Sequence, residues 1–262
     1  MLNGDSTARI VVVTGAAGGI GAAIAARFAG EAEVLSLWDR DPAVHKVAAE
    51  LTTRSAHGVA LDVSDGDEVA AAFDRLAAEH GTPDVVVHAA GLMVGGSALE
   101  LDPQDWARCL TVNATGTMLV AQRAAAAMVR AGRGAIVVVS SNAAATPRVG
   151  MAAYGAAKAA ATSFTRALAL QVAPLGVRVN LVSPGSTDTA MLRDMFGGTA
   201  LDDTAEQALL DGDPSAYRLG IPLRRIATPA DIAGAVHFLA SEDARHITMH
   251  DLRVDGGATL DM

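Results

Sequence analysis

The sequence predicts an α/β fold, a single Rossmann-like, doubly wound domain over residues 1–262 with a seven-stranded parallel sheet and helices on both faces. Three observations predict it. Short runs rich in β-branched residues alternate with longer Ala-rich stretches, the pattern of repeated βαβ units. The runs are apolar nearly throughout, as strands must be when both sheet faces are covered. The composition, 51% hydrophobic but only 3% aromatic, suits one large core of Ala, Val, Leu and Ile at close helix–sheet spacing.

In chain order, Ile10–Thr14 is the first strand, and the glycines after it lead into a helix over Gly19–Gly30. Val34–Trp38 and Gly58–Leu61 are the next two strands, each followed by a helix, Pro42–Thr52 and Asp65–His80. Val85–His88 precedes a long helical stretch, Pro103–Ala131, whose Ala124–Ala127 string is a good helix former. Ala135–Ser140 leads to the helix Met151–Ala173, and Val177–Val182, Pro229–Ala240 and Asp251–Val254 complete the alternation. One stretch breaks the rhythm: residues 186–220, with Gly197, Gly198, Gly212 and Pro214 among acidic and apolar residues. A long excursion beyond a strand's carboxyl end is expected to be a substrate lid, because ligands of open α/β sheets bind at that edge.

A formal charge of −9 without any Lys/Arg-rich block excludes a nucleic acid or an anionic membrane as partner, since phosphates need a clustered basic footprint. A small molecule is the expected partner. Cys109 is the only cysteine, which excludes an intrachain disulfide or a cysteine metal cluster and suits a reducing cytoplasm; no metal site is expected. Met1–Arg9 is polar with no charged-then-apolar leader, and no apolar run approaches the roughly 20 residues of a membrane span.

Thr14-Gly15-Ala16-Ala17-Gly18-Gly19-Ile20-Gly21 lies between the first strand and its helix. Gly15, Ala17, Gly19, Ile20 and Gly21 would bring backbone close to a pyrophosphate seated on the positive helix end. Asp39, closing the second strand, stands where an acid binds ribose. Its carboxylate would accept from the adenosine hydroxyls and repel a 2′-phosphate, which favours NAD; Arg40 beside it is the group that could instead accommodate that phosphate.

Tyr154 and Lys158, four residues apart, share a helix face. A nearby cation favours a phenolate, so Lys158 is expected to lower the Tyr154 pKa and make it a base. Ser141 ends a strand thirteen residues earlier, and Asn113 falls in the Pro103–Ala131 helix.

With these pieces the chain resembles the short-chain dehydrogenase/reductase family over its whole length. The resemblance rests on TGAAGGIG, Asp62-Val63, His88-Ala89-Ala90-Gly91, Asn113, Ser141, Tyr154 with Lys158, and Pro184-Gly185-Ser186-Thr187-Asp188-Thr189. It implies a homotetramer and a catalytic set of Asn113, Ser141, Tyr154 and Lys158. It also puts Asp62 and Val63 near the adenine, Thr187 and Thr189 near the nicotinamide carboxamide, and Ala89, Ala90, Gly91, Pro184 and Gly185 along the cofactor. His88 stands where the family usually has Asn. Within the family, Thr146-Pro147-Arg148-Val149-Gly150-Met151, Leu219-Gly220-Ile221-Pro222-Leu223 and the tail from His246 resemble the 2,3-dihydro-2,3-dihydroxybenzoate dehydrogenases of siderophore pathways. That group has an Arg at the position of Val94 and a Gln at that of Leu192.

Two lost polar side chains alter what a pocket can satisfy, so a substrate with a 2-amino group, 2,3-dihydro-3-hydroxyanthranilate, stays open beside the diol. Arg148 is nominated for the substrate carboxylate because a guanidinium matches it in bidentate geometry. Met93, Val94, Met191 and Leu192 are expected to border the substrate with Ser141. An NADPH-dependent ketoreductase would share every generic motif, and a non-catalytic NAD-binding sensor is opposed by the intact Ser141, Tyr154 and Lys158.

Overall fold

The computed structural model describes residues 9–53, 55–198 and 200–260; the expected leaderless start, residues 1–8, lies outside them. The strands are β1 (Ile10–Thr14), β2 (Val34–Asp39), β3 (Ala56–Ala60), β4 (Val85–His88), β5 (Gly134–Val139), β6 (Val177–Pro184), a short antiparallel pair β7 (Gly212–Asp213) and β8 (Arg218–Leu219), and β9 (Asp251–Val254). All but β7 and β8 form one parallel sheet in the order β3-β2-β1-β4-β5-β6-β9. This is the single α/β domain expected. The winding reverses at β1, which pairs with β2 on one side and β4 on the other. Loops leaving β1 and β4 therefore part in opposite directions and open a cleft at the carboxyl edge.

Strand residues alternate between faces, and both faces are apolar. Val12, Trp38, Val86, Ile136 and Leu181 meet α3 (Gly66–Glu79), α5 (Gly116–Ala131) and α6 (Ala152–Val172) in one layer of the core. Val11, Val13, Leu35, Leu37 and Val87 form the other, against α1 (Gly19–Phe28), α2 (Val44–Glu50) and α9 (Pro229–Ala240). The Trp38 ring, fully buried, packs edge-on to Phe73 at 4.8 Å and donates its indole N–H to Ser36 Oγ at 2.8 Å, so its one polar atom is satisfied.

Two expected segments carry detail that the sequence does not show. The stretch Pro103–Ala131 is helical throughout, as expected, but α4 (Pro103–Leu110) and α5 are joined by a π-helical turn, Thr111–Thr115. A π turn widens the backbone, and Thr117 Oγ1 donates to the Asn113 carbonyl at 2.6 Å there. The stretch 186–220 is also more ordered than its irregular sequence suggests, with α7 (Ala190–Asp194), α8 (Asp203–Asp211) and the β7–β8 pair. Asp202 caps α8 by accepting from Ala205 N at 2.7 Å, and Thr189 caps α7. Among the described residues no helix is long and apolar enough to cross a membrane.

Candidate active site

At the winding reversal the glycine-rich turn sits directly against the end of β4. A Cβ on Gly15, whose φ is +69°, would lie 2.7 Å from Ala90 N, and one on Gly21 would lie 2.0 Å from Gly15 O. Neither position admits a side chain, so these glycines close the turn onto the sheet and leave its backbone facing the cleft. Asp39 ties β2 to the turn: Ala17 N donates to Oδ2 at 3.0 Å, and Asp41 N to Oδ1 at 2.9 Å. Each carboxylate oxygen keeps a lone pair for a ribose hydroxyl.

The cleft wall brings together Gly15, Gly19, Ile20, Gly21, Asp39, Arg40, Asp62, Val63, Ala89, Ala90, Gly91 and Thr189. Ala17 stands behind them as the donor to Asp39. Leu61, Leu92 and Val112 also line the wall, without any motif to reveal them. Asp62 is held by Ser64, whose N–H and hydroxyl both donate to Oδ1, and these bonds keep its carboxyl below the usual range. Donor-rich backbone at the turn, a carboxylate on β2 and glycines packed too closely on the sheet end to carry side chains fit a nicotinamide dinucleotide.

The same cleft leads through Ile20, Ala89, Gly91, Thr189 and Met191 into a pocket holding Ser141, Tyr154 and Lys158. Pro184, Gly185 and Thr187 line its edge with Met93, Arg148 and Leu192. Val94 is the exception among the residues expected at the substrate: it is buried in a cluster with Cys109, Ala153 and Tyr154, behind the pocket wall. An apolar side chain suits that position, and an arginine would need a partner for its charge there.

Ser141 hydrogen-bonds the Tyr154 phenol and accepts from Ala143 N at 3.1 Å. Lys158 Nζ donates to Val139 O at 2.9 Å and lies 5.9 Å from the centre of the Tyr154 ring. The expectation that Lys158 lowers the Tyr154 pKa is not met in the protein alone. Burial pushes the phenol up to about 12, only partly opposed by the Ser141 bond, and pushes the Lys158 ammonium down to about 8. Asn113, on the π turn, donates through Nδ2 to Leu92 O at 2.7 Å and to Cys109 O at 3.0 Å, while its Oδ1 accepts from Leu92 N at 3.1 Å. Its carboxamide thus fixes the loop that follows Gly91.

His88 is fully buried, with Nδ1 2.9 Å from Thr14 Oγ1. That oxygen already accepts from Ala89 N and Ala90 N at 3.2 Å each, so its single proton goes to Nδ1. His88 therefore carries its own proton on Nε2, which finds no partner among the described residues. Burial, with Lys158 adding to it, lowers its pKa to about 3, and the ring is neutral.

A dinucleotide cleft running into a Ser–Tyr–Lys pocket is the arrangement of an oxidoreductase that acts on a carbinol or a carbonyl. Residues 15–259 match the family model described as enoyl-(acyl carrier protein) reductase. The chain is 40% identical to the 2,3-dihydro-2,3-dihydroxybenzoate dehydrogenase of Bacillus subtilis (strain 168), with 96% of each chain covered. It is also 40% identical to the enzyme of the same name from Escherichia coli (strain K12), covering 98% of this chain and 99% of that one. A solved structure of a short chain dehydrogenase/reductase family protein superposes with a TM-score of 0.81 at 35% identity, over 95% of this chain and 96% of that one. The chain belongs to the short-chain dehydrogenase/reductase family and is an NAD-dependent oxidoreductase.

Proposed function

We propose that this enzyme oxidises 2,3-dihydro-2,3-dihydroxybenzoate to 2,3-dihydroxybenzoate. The observation that carries the reading is that Ser141, Tyr154 and Lys158 share one largely apolar pocket with Arg148, so a ring carboxylate and a carbinol can be held together. The names of the two relatives at 40% identity support the substrate.

The glycine-rich turn, Asp39 and Lys158 would hold NAD, which would supply the hydride acceptor. Tyr154 takes the proton from the hydroxyl on carbon 3 as that carbon loses hydride, and Ser141 holds the oxygen by hydrogen bonding. Lys158 holds the nicotinamide ribose, and Asn113 orients a water for proton relay. Arg148 fixes the ring through its carboxylate. The resulting enone tautomerises, its carbon-2 proton passing to solvent and the carbon-3 oxygen taking one up, to give the aromatic acid, so no second base is needed and the oxidation is effectively irreversible. Residues 186–220 act as the lid, with Met191 and Leu192 over the ring, and the protein works as a cytoplasmic homotetramer.

The amino-alcohol reading, 2,3-dihydro-3-hydroxyanthranilate, is favoured by Leu192, which lines the pocket where related enzymes carry Gln; Val94, behind the wall, adds nothing to it. Steady-state kinetics of the two dihydro acids with NAD, side by side, separate them. Preference for the diol supports the reading, and turnover of the amino acid alone replaces it.

A further inference from the structure

Three cations line the pocket, Arg148, Lys158 and Arg218, and no Asp or Glu is among its described lining residues. Lys158 belongs to the catalytic set and Arg148 was legible from its place between Ser141 and Tyr154. Arg218 belongs to neither. It sits on β8 of the lid, and Tyr217 before it is held at φ +53°, a left-handed conformation that costs a bulky residue energy and turns the chain sharply. Opposite it in the hairpin register is Asp213, but that carboxylate accepts from Ser215 N at 2.9 Å and Ser215 Oγ at 2.6 Å. Arg218 Nη2 donates to Ser186 Oγ at 3.5 Å, and no ion pair of Arg218 is found among the described residues. Burial holds the Arg218 guanidinium below the usual arginine range, the Arg148 charge adds to this, and Asp213 opposes it.

We infer that Arg218 is the second half of a two-arginine site for the substrate carboxylate, closing on it from the lid while Arg148 holds it from the sheet side. The inference rests on the carboxylate substrate proposed above. A carboxylate between the two guanidiniums can take a charge-assisted contact from each and so tie the β7–β8 hairpin to the wall that carries Arg148. A neutral ring alcohol of the same shape gains neither contact.

The test is calorimetric titration of 2,3-dihydroxybenzoate, and of catechol as its neutral counterpart, into the protein with NADH, using wild type, Arg148→Ala, Arg218→Ala, Arg218→Lys and the double alanine variant. Each single alanine variant is expected to weaken acid binding about ten- to hundredfold, the cost of one charge-assisted contact, and catechol binding by less than about threefold. Arg218→Lys recovers part of the loss, and the double variant loses less than the product of the singles, because the two share one ligand. Acid binding by Arg218→Ala within about twofold of wild type overturns the inference, as does equal weakening of acid and catechol. Failure of the function is distinguishable: a wild type that does not oxidise the dihydro acid yet binds 2,3-dihydroxybenzoate through Arg218 refutes the reaction and leaves the site standing. Turnover unaffected by Arg218→Ala refutes the site alone.

Discussion

The Thr14 hydroxyl donates to His88 Nδ1 across 2.9 Å and joins the ends of two adjacent strands, β1 and β4, that are 74 residues apart in sequence. This bond holds the two walls of the dinucleotide cleft in register, and it requires a neutral imidazole.

The His88 pKa is near 3 in the folded protein against 6.5 normally, so the unfolded chain binds the extra proton throughout that interval. Stability contributed by neutral His88 is complete above about pH 6.5 and is lost as pH falls toward 3, by up to a few kcal/mol. Denaturant titrations at a series of pH values should show this loss in the wild type and a shallower one in His88→Asn. Parallel curves would contradict it.

The first strand, the glycine turn, Asp39 and the Ser141–Tyr154–Lys158 set were legible because each is a local pattern with a fixed spacing. The Thr14–His88 bond was not, since it joins distant segments and His88 reads as a departure from the family. Nor was the π turn: Thr111–Thr115 has ordinary helical composition, and the turn shows only in the backbone path and in the Thr117 bond to Asn113 O. Arg218 stayed hidden because β7 and β8, two residues each, are too short to give a period. The Tyr154 pKa departs from the sequence expectation because the sequence shows the cation four residues on but not the burial that outweighs it.

Phenol ionisation tests that last point. In a Tyr217→Phe background Tyr154 is the only tyrosine. Ultraviolet difference titration of the cofactor-free protein should show no phenolate until the pH approaches about 12. With NAD bound, the positive nicotinamide should move the transition down, and kcat for oxidation should rise with pH along the same curve. A phenolate already formed near neutrality without NAD would refute the burial argument.

Asp39→Ala removes the ribose acceptor and also the bonds from Ala17 N and Asp41 N. The kcat/KM ratio of NAD to NADP should fall at least about tenfold, about what one charged hydrogen-bond partner contributes. Comparable use of both cofactors by the unmutated enzyme would argue against Asp39 as the selector.

Assembly is tested separately. Ala160, Ala167 and Leu170 on α6 and Trp106 on α4 are exposed on the single chain, and small side chains among them allow close helix approach. Light scattering should give the mass of four chains, and a stable monomer at working concentration would remove the expectation.

The central claim is that Tyr154 is the base of a dehydrogenation, and Tyr154→Phe tests it most directly because the ring's packing stays while the proton acceptor is lost. NADH formation from 2,3-dihydro-2,3-dihydroxybenzoate and NAD should fall by at least about a hundredfold in the variant, with NAD binding retained. A Tyr154→Phe enzyme that works at close to the wild-type rate would contradict the mechanism.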